Sequence, residues 1–409
     1  MAKPIGPTCN LDCRYCYYLD KYRLYPQARG FRMNERVLET FIRDYIAIHE
    51  EPEVCFFWQG GEPTLLGLKF FRKVLELQGR HCPAGKTVRN ALQTNGTLLD
   101  RRWAALLRDH GFLVGLSIDG PQRLHDRYRV NRKGGPTFDA VLETLRLLRE
   151  ERVEFNTLSV VHRGNARHGR RVYRFLRDQG VRFMQFIPLV ERCRDDGSLA
   201  EPPSLDEPPP ATTVAPWSVP PQAYGNFMCA VFDEWVRNDV GRVYVQLFDV
   251  QLALWTGLPS ELCVFAETCG QGLALEHNGD LYSCDHYVYP AYRLGNILEH
   301  SIGALAQVPQ QQRFGNAKRE SLPRCCRDCE FLFACNGGCP KHRFLRTSDG
   351  EPGLNYLCPS YKRYFSHTAP YMRVMSDLLR AGRPPAHVSR MLRGRGPAGR
   401  SNPASRAGW

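Results

Sequence analysis

The sequence predicts an α/β fold: a partial TIM-like barrel followed by a smaller, cysteine-dense module. Three observations predict it. Over the first two hundred residues, strand-like apolar runs alternate with helix-like segments, the pattern of parallel βαβ units. Polar and glycine-rich signals stand where those runs end, which is where barrel active sites are built. Nine of the sixteen cysteines fall between Cys263 and Cys358.

In chain order, an apolar run over 54–58 ends in Gln59-Gly60-Gly61-Glu62-Pro63, and 64–78 reads as a helix. A strand over 88–93 precedes Thr94-Asn95-Gly96, with a helix over 101–110. A third strand, 112–118, ends in Asp119-Gly120-Pro121, before an amphipathic helix over 138–152. Strand 155–161, helix 167–179 and strand 182–188 complete the alternation. A strand should also precede the first cysteine loop, yet only Met1-Ala2-Lys3-Pro4 is available. The expectation is a coding start upstream; otherwise the first strand is very short and leaves an exposed edge.

Residues 194–222 read as a Pro-rich linker or insertion, with Pro208-Pro209-Pro210 inside it. Helix resumes near 222–237, and a helix over 372–380 closes the fold. The expected domains are therefore 1–193 (barrel), 194–222 (linker), 223–375 (cysteine module with connecting helices) and 376–409 (basic disordered tail). From Arg373 onward there are eight arginines and one acid, among many Gly, Pro and Ser. The chain's net charge of +13 is thus concentrated at its end, and no nucleic-acid partner is inferred from it. No apolar run approaches the ~20 residues of a membrane span, and no secretory signal is visible. Sixteen cysteines without an export signal point to reduced thiolates in the cytoplasm.

Cys9, Cys13 and Cys16 form CxxxCxxC within one short loop. A 4Fe–4S cube normally takes four thiolates. Three leave one iron open to a small molecule. A structural zinc site or a ferredoxin-type site would need a fourth ligand, and the next cysteine is Cys55. With this loop the chain resembles the radical S-adenosylmethionine (radical SAM) enzymes, whose fold is a partial (β/α)6 barrel. The resemblance implies SAM on the open iron and a 5′-deoxyadenosyl radical as the reactive species. Gly60-Gly61-Glu62-Pro63 matches the family's GGEP motif, implying contact with the SAM amino group. It further implies Tyr15 against adenine, and polar contacts to SAM or substrate from Gln59, Gln93 and Ser117. Asp119 is left between a ribose contact and a turn cap.

The later cysteines resemble a SPASM domain, which holds two further 4Fe–4S clusters. By that pattern Cys263, Cys269, Cys284 and Cys339 hold one, and Cys326, Cys329, Cys335 and Cys358 the other. Two zinc sites are the alternative. Cys325 is spare, or exchanges with Cys326. Cys55, Cys82, Cys193 and Cys229 fit no cluster.

The runs 3–19, 58–64, 93–97, 117–121 and 278–288 narrow the resemblance to anaerobic sulfatase-maturating enzymes, which oxidise a sulfatase Cys or Ser to Cα-formylglycine. That implies Asp285, next to Cys284, as the base for the thiol or hydroxyl proton. It implies an unfolded or nascent sulfatase polypeptide as substrate, reduced flavodoxin or ferredoxin as electron donor, and a monomer. Two readings compete: another SPASM peptide modifier, forming thioethers or crosslinks on a small precursor peptide, and a non-catalytic metal scaffold.

Overall fold

The structure, a computed structural model, describes residues 1–28, 30–204 and 212–394. Six parallel strands line up in sequence order: β1 (Ala2–Lys3), β2 (Glu53–Trp58), β3 (Thr87–Thr94), β4 (Phe112–Ser117), β5 (Phe155–Val161) and β6 (Phe183–Pro188). Their apolar residues alternate toward the surrounding helices, with Phe56, Trp58, Leu92, Phe112 and Leu116 all buried. The helices are α1 (Glu35–Ile48), α2 (Gly67–His81), α3 (Arg101–Asp109), the short α4 (Gln122–His125), α5 (Phe138–Glu150) and α6 (Gly169–Asp178). Aromatic edges pack the seam between sheet and helices: Trp58 meets Phe71 at 6.1 Å, and Phe71 meets Trp103 at 5.4 Å.

Two elements differ from the sequence reading at this end. Helix α1 was not expected. Asn34 caps it by accepting from the Val37 N–H at 2.9 Å, and Val37, Leu38, Phe41, Ile42 and Ile46 face the core. The segment expected as a helix over 64–78 begins instead as a tight turn, Pro63–Leu66, and α2 proper starts at Gly67.

A strand does precede the cysteine loop. It is two residues long, and it is not an edge. β1 lies between β2 and β10 (Ala274–Glu276), parallel to both, with Ala2 opposite Trp58 on one side and Leu275 on the other. The expected exposed edge is therefore covered, by a segment from the far module. β10 continues antiparallel into β11 (Asp280–Tyr282) and β12 (Arg293–Asn296). At the opposite end β9 (Tyr244–Val245) extends β6, giving an open ten-stranded sheet.

In the Pro-rich region, β7 (Arg192–Cys193) and β8 (Thr213–Val214) pair antiparallel, so its base is anchored rather than extended. Pro208-Pro209-Pro210 lies outside the described residues. Next come α7 (Ala223–Asn238) and α8 (Gln246–Thr256), then α9 (Ile302–Ala306), α10 (Pro309–Glu320), α11 (Arg324–Arg327) and α12 (Leu332–Cys335). The hairpin β13 (Leu345–Arg346) and β14 (Pro352–Leu354) leads to α13 (Cys358–Arg380), of which the expected 372–380 helix is only the end. Helices α7 and α13 pack backbone to backbone: a Cβ on Gly225 would fall 2.4 Å from the Ser360 carbonyl oxygen. The tail expected to be disordered is folded through residue 394. α14 (His387–Gly394) buries Val388, and Ser389 Oγ donates to the Val236 carbonyl at 2.7 Å. Residues 395–409 lie outside the described part.

Candidate active site

The loop carrying Cys9, Cys13 and Cys16 leaves the C-terminal end of β1 and is clamped on two sides. On one side the Gly61 N–H donates to the Gly6 carbonyl at 2.7 Å, and the Glu62 N–H to Thr8 at 2.9 Å. Only glycine permits this approach: a Cβ on Gly61 would lie 1.9 Å from the Thr8 carbonyl oxygen. On the other side the Asp12 N–H donates to Val130 and the Arg14 N–H to Tyr128.

The three thiols are partly buried and free. Burial pushes Cys9 up to about 11 and Cys13 up to about 12, and raises Cys16; Cys9 and Cys13 each also feel Cys16. Three thiols in mutual electrostatic range do not ionise together without a cation, and a thiolate-bound iron cluster supplies one. The donor set therefore fits a cube with one open iron. Among the described residues no three His, Cys, Asp or Glu side chains surround a single-ion position. A cube needs none, because each thiolate goes to a different iron.

Glu62 is 1% exposed and its carboxylate is fully subscribed. Oε1 accepts from the Thr64 N–H (3.1 Å), the Thr64 hydroxyl (2.7 Å) and the Thr94 hydroxyl (2.7 Å), while Oε2 accepts from the Asn95 N–H (2.7 Å). Three of these bonds fall on Oε1 and one on Oε2, so this side chain ties the turn after β2 to the end of β3. Gln93 and Ser117 sit near the C-terminal ends of β3 and β4, opposite in the pleat to the buried Leu92 and Leu116. Asn95, which the sequence reading did not select, aims its amide at Asn10 Oδ1 (2.9 Å) and at Cys9 Sγ (3.8 Å). Its signals were the Thr94-Asn95-Gly96 turn and its place in the run 93–97 that carries the resemblance.

Tyr15 turns inward. Its hydroxyl donates to Asp119 Oδ2 at 2.7 Å, and its ring packs against Tyr128 and His162. Asp119 is fully buried and also accepts from Arg129 Nε (2.9 Å) and Nη2 (3.1 Å) and from the Val160 N–H (2.9 Å). Burial alone would raise the Asp119 carboxyl; the Arg129 guanidinium outweighs it and holds the group below its ordinary value. With both oxygens engaged, Asp119 is a structural brace and not a ribose ligand.

Asp285 reaches the barrel from the hairpin that follows Cys284. Lys3 of β1, 2% exposed, forms an ion pair with Oδ1, and the Tyr17 hydroxyl donates to Oδ2 at 2.8 Å. Burial opposes ionisation here too, but Lys3 and His286 hold the carboxyl well below the usual range. Tyr17 lies 5.4 Å from the His286 ring and 4.7 Å beneath the Lys341 ammonium, which pairs with Glu191 at the end of β6. Lys3, Tyr17, Glu191 and Lys341 were not singled out in the sequence as site residues. Lys3 and Tyr17 lie inside the opening run that carried the resemblance, whereas Lys341 meets Glu191 across 150 residues with no local signal.

The C-terminal cysteines lie near one another in two neighbourhoods. Cys263, Cys269, Cys284 and Cys339 influence one another electrostatically. Cys326, Cys329, Cys335 and Cys358 form the other group, with Cys325 beside Cys326 and Cys358. Buried Lys318 donates to the carbonyls of Cys263 and Val264 at 2.7 and 3.0 Å, placing a cation behind the first group.

Residues 4–176 match the radical SAM superfamily, and residues 263–330 match the SPASM iron–sulfur cluster-binding domain. The chain is 45% identical to the serine-type anaerobic sulfatase-maturating enzyme of Bacteroides thetaiotaomicron, over 96% of this chain and 94% of that one. It is 34% identical to the cysteine-type enzyme of Clostridium perfringens, over 90% of this chain and 96% of that one. The solved structure described as native anSMEcpe with bound AdoMet and Cp18Cys peptide superposes with a TM-score of 0.80 at 32% identity, covering 92% of this chain and 98% of that one.

Proposed function

The chain belongs to the anaerobic sulfatase-maturating enzymes of the radical SAM superfamily, and from that premise we propose that it oxidises one Cys or Ser of a sulfatase to Cα-formylglycine. Cys9, Cys13 and Cys16 would hold a 4Fe–4S cluster whose fourth iron takes SAM, with the Gln59–Gly61 backbone, Gln93 and Ser117 lining the pocket. When bound, these groups supply the 5′-deoxyadenosyl radical that removes a hydrogen atom from the substrate Cβ.

The protein's own contribution is proton removal and positioning. Asp285 accepts the proton from the thiol or hydroxyl of the residue being oxidised. Lys3 keeps the carboxylate ionised, and the Tyr17 hydroxyl fixes its rotamer. The observation that carries this reading is the Asp285 carboxylate itself, brought by the cysteine module to the mouth of a barrel whose first strand supplies its counter-ion. Eight cysteines, Cys263, Cys269, Cys284, Cys339 and Cys326, Cys329, Cys335, Cys358, would hold two further 4Fe–4S clusters, for three in all. Full cysteine ligation suits them to electron transfer and not to substrate binding.

The substrate in this reading is an unfolded or nascent sulfatase polypeptide, since its Cβ must enter the barrel. The donor is reduced flavodoxin or ferredoxin, the enzyme acts as a monomer, and the compartment is the cytoplasm, where the thiols stay reduced. Among the described residues no helix is long and apolar enough to cross a membrane.

Anaerobically reconstituted protein, SAM, a strong reductant and peptides carrying Cys-x-Pro-x-Arg or Ser-x-Pro-x-Arg test the proposal by mass spectrometry. The Cys peptide should exchange sulfur and two hydrogens for one oxygen, and the Ser peptide should lose two hydrogens. Asp285→Asn should lower product formation by about 10²–10⁴-fold while 5′-deoxyadenosine still appears. Deoxyadenosine with both peptides unchanged would remove sulfatase maturation as the function.

A further inference from the structure

The cysteine loop has an outer flank that the proposed chemistry does not use. Residues 127–133 run beside residues 9–14, joined by the Asp12–Val130 and Arg14–Tyr128 hydrogen bonds and by a bridge between Leu11 and Asn131. Within these two segments the exposed charged residues are Arg14, Arg127, Arg132 and Lys133, with Asp12 the one exposed acid. Arg129 points inward and is consumed by Asp119. Among the described residues none of the four exposed cations forms an ion pair. The nearest acid in sequence, Asp126, is occupied in capping α5 through the Thr137 and Phe138 N–H groups, both at 2.9 Å. Beside the collar opens a cavity of about 440 Å³, lined by Leu11, Asp12, Tyr22, Phe31 and Arg132 among others. Tyr22 is 51% exposed at its rim.

We propose that this collar is the docking surface for an acidic one-electron carrier protein, the reductant of the cluster that Cys9, Cys13 and Cys16 hold. The inference rests on the function proposed above and adds the place where its electron enters. Like charges gathered without ion-pair partners are a cost to the isolated chain, and an acidic surface relieves it. The collar touches the ligand loop directly, because Arg132 Nε donates to the Cys9 carbonyl at 2.8 Å. A carrier seated here stands over the loop that carries the three cysteines. Transient redox complexes bury little area and depend on charge for encounter and orientation. The exposed Tyr22 supplies a small apolar contact for such an interface. In each encounter the carrier is oxidised by one electron, and no bond forms or breaks at the collar.

Arg127→Glu/Lys133→Glu holoenzyme tests this, since both side chains are exposed and neither touches the cysteine loop's ligating residues. Affinity for flavodoxin, and SAM cleavage driven by reduced flavodoxin, should fall about tenfold or more at low ionic strength. The difference from wild type should close toward 1 M salt, where the Debye length is about 3 Å. Cleavage driven by dithionite, which needs no docking, should stay at the wild-type rate. Equal flavodoxin affinity in variant and wild type overturns the proposal, and so does an equal loss with dithionite. Weakened binding of a short RNA with flavodoxin affinity unchanged overturns it in favour of nucleic acid. Wild-type protein that cleaves SAM with flavodoxin but forms no formylglycine would refute the sulfatase reading and leave the docking surface standing.

Discussion

Glu62 and Asp285 are both partly or fully buried carboxylates, and their partners set them to opposite tasks. Glu62 has four hydrogen-bond donors around it and no cation, so burial raises its carboxyl and the group serves as a brace. Asp285 has an ammonium on one oxygen and a phenol on the other, and stays ionised as the proposed base requires. The sequence singled out both residues, but the role of Glu62 was not legible, because two of its donors come from Thr94 and Asn95 on another strand. Gly61 is the residue whose motif reading and structural reason coincide. Gly61→Ala should force the cysteine loop away from β2, costing about 1–3 kcal/mol and lowering the iron retained on reconstitution. Iron analysis and a melting curve check it; a variant with full iron and unchanged Tm would mean the loop tolerates the shift.

Among the elements, the central strands were legible because each is a short apolar run closed by glycine or an Asp-Gly turn. β5 falls on its expected span, 155–161, and β4 within one residue of its expected end. Helix α1 carries a readable signal, Asn34 ahead of apolar residues at helical spacing, that was not assigned. α14 was masked by composition: arginine, glycine and proline dominate its surroundings, and Val388 is a small apolar signal among them. Truncation after residue 386 should remove that contact and destabilise the protein by about 1.5–3 kcal/mol from Val388 alone. Truncation after residue 394 should leave the melting temperature unchanged. Thermal unfolding of the two shortened chains side by side decides the matter, and equal Tm values would show that α14 contributes nothing to α7.

For the whole molecule, the two modules are sewn together at the place where chemistry is proposed. Lys3 to Asp285 and Glu191 to Lys341 cross between barrel and cysteine module, with Tyr17 lying between the pairs. Neither pair could be read from the chain, because each joins residues more than a hundred positions apart. The cysteine-dense module, by contrast, was visible in the sequence, and the division of its cysteines into two sets came from the resemblance to a SPASM domain. The three cubes proposed above would bring about twelve irons. Cys284→Ala and Cys335→Ala should each lose about a third of them, with the remaining two clusters' EPR signals intact. Loss of two clusters in either variant would mean that the groups are not independent.

The pairing of β1 has a consequence in time. Residues 2 and 3 meet Trp58 early in synthesis, yet their second neighbour is Leu275. At roughly 5–20 residues per second, a ribosome takes on the order of a quarter of a minute to a minute to deliver that neighbour. Until then the strand feeding the cysteine loop has one partner, Lys3 has no Asp285, and the thiols stand on a half-anchored segment. A nascent chain is therefore poorly prepared to accept iron before its second module has emerged, and the order of translation itself delays cluster loading until the base and the far cysteines exist.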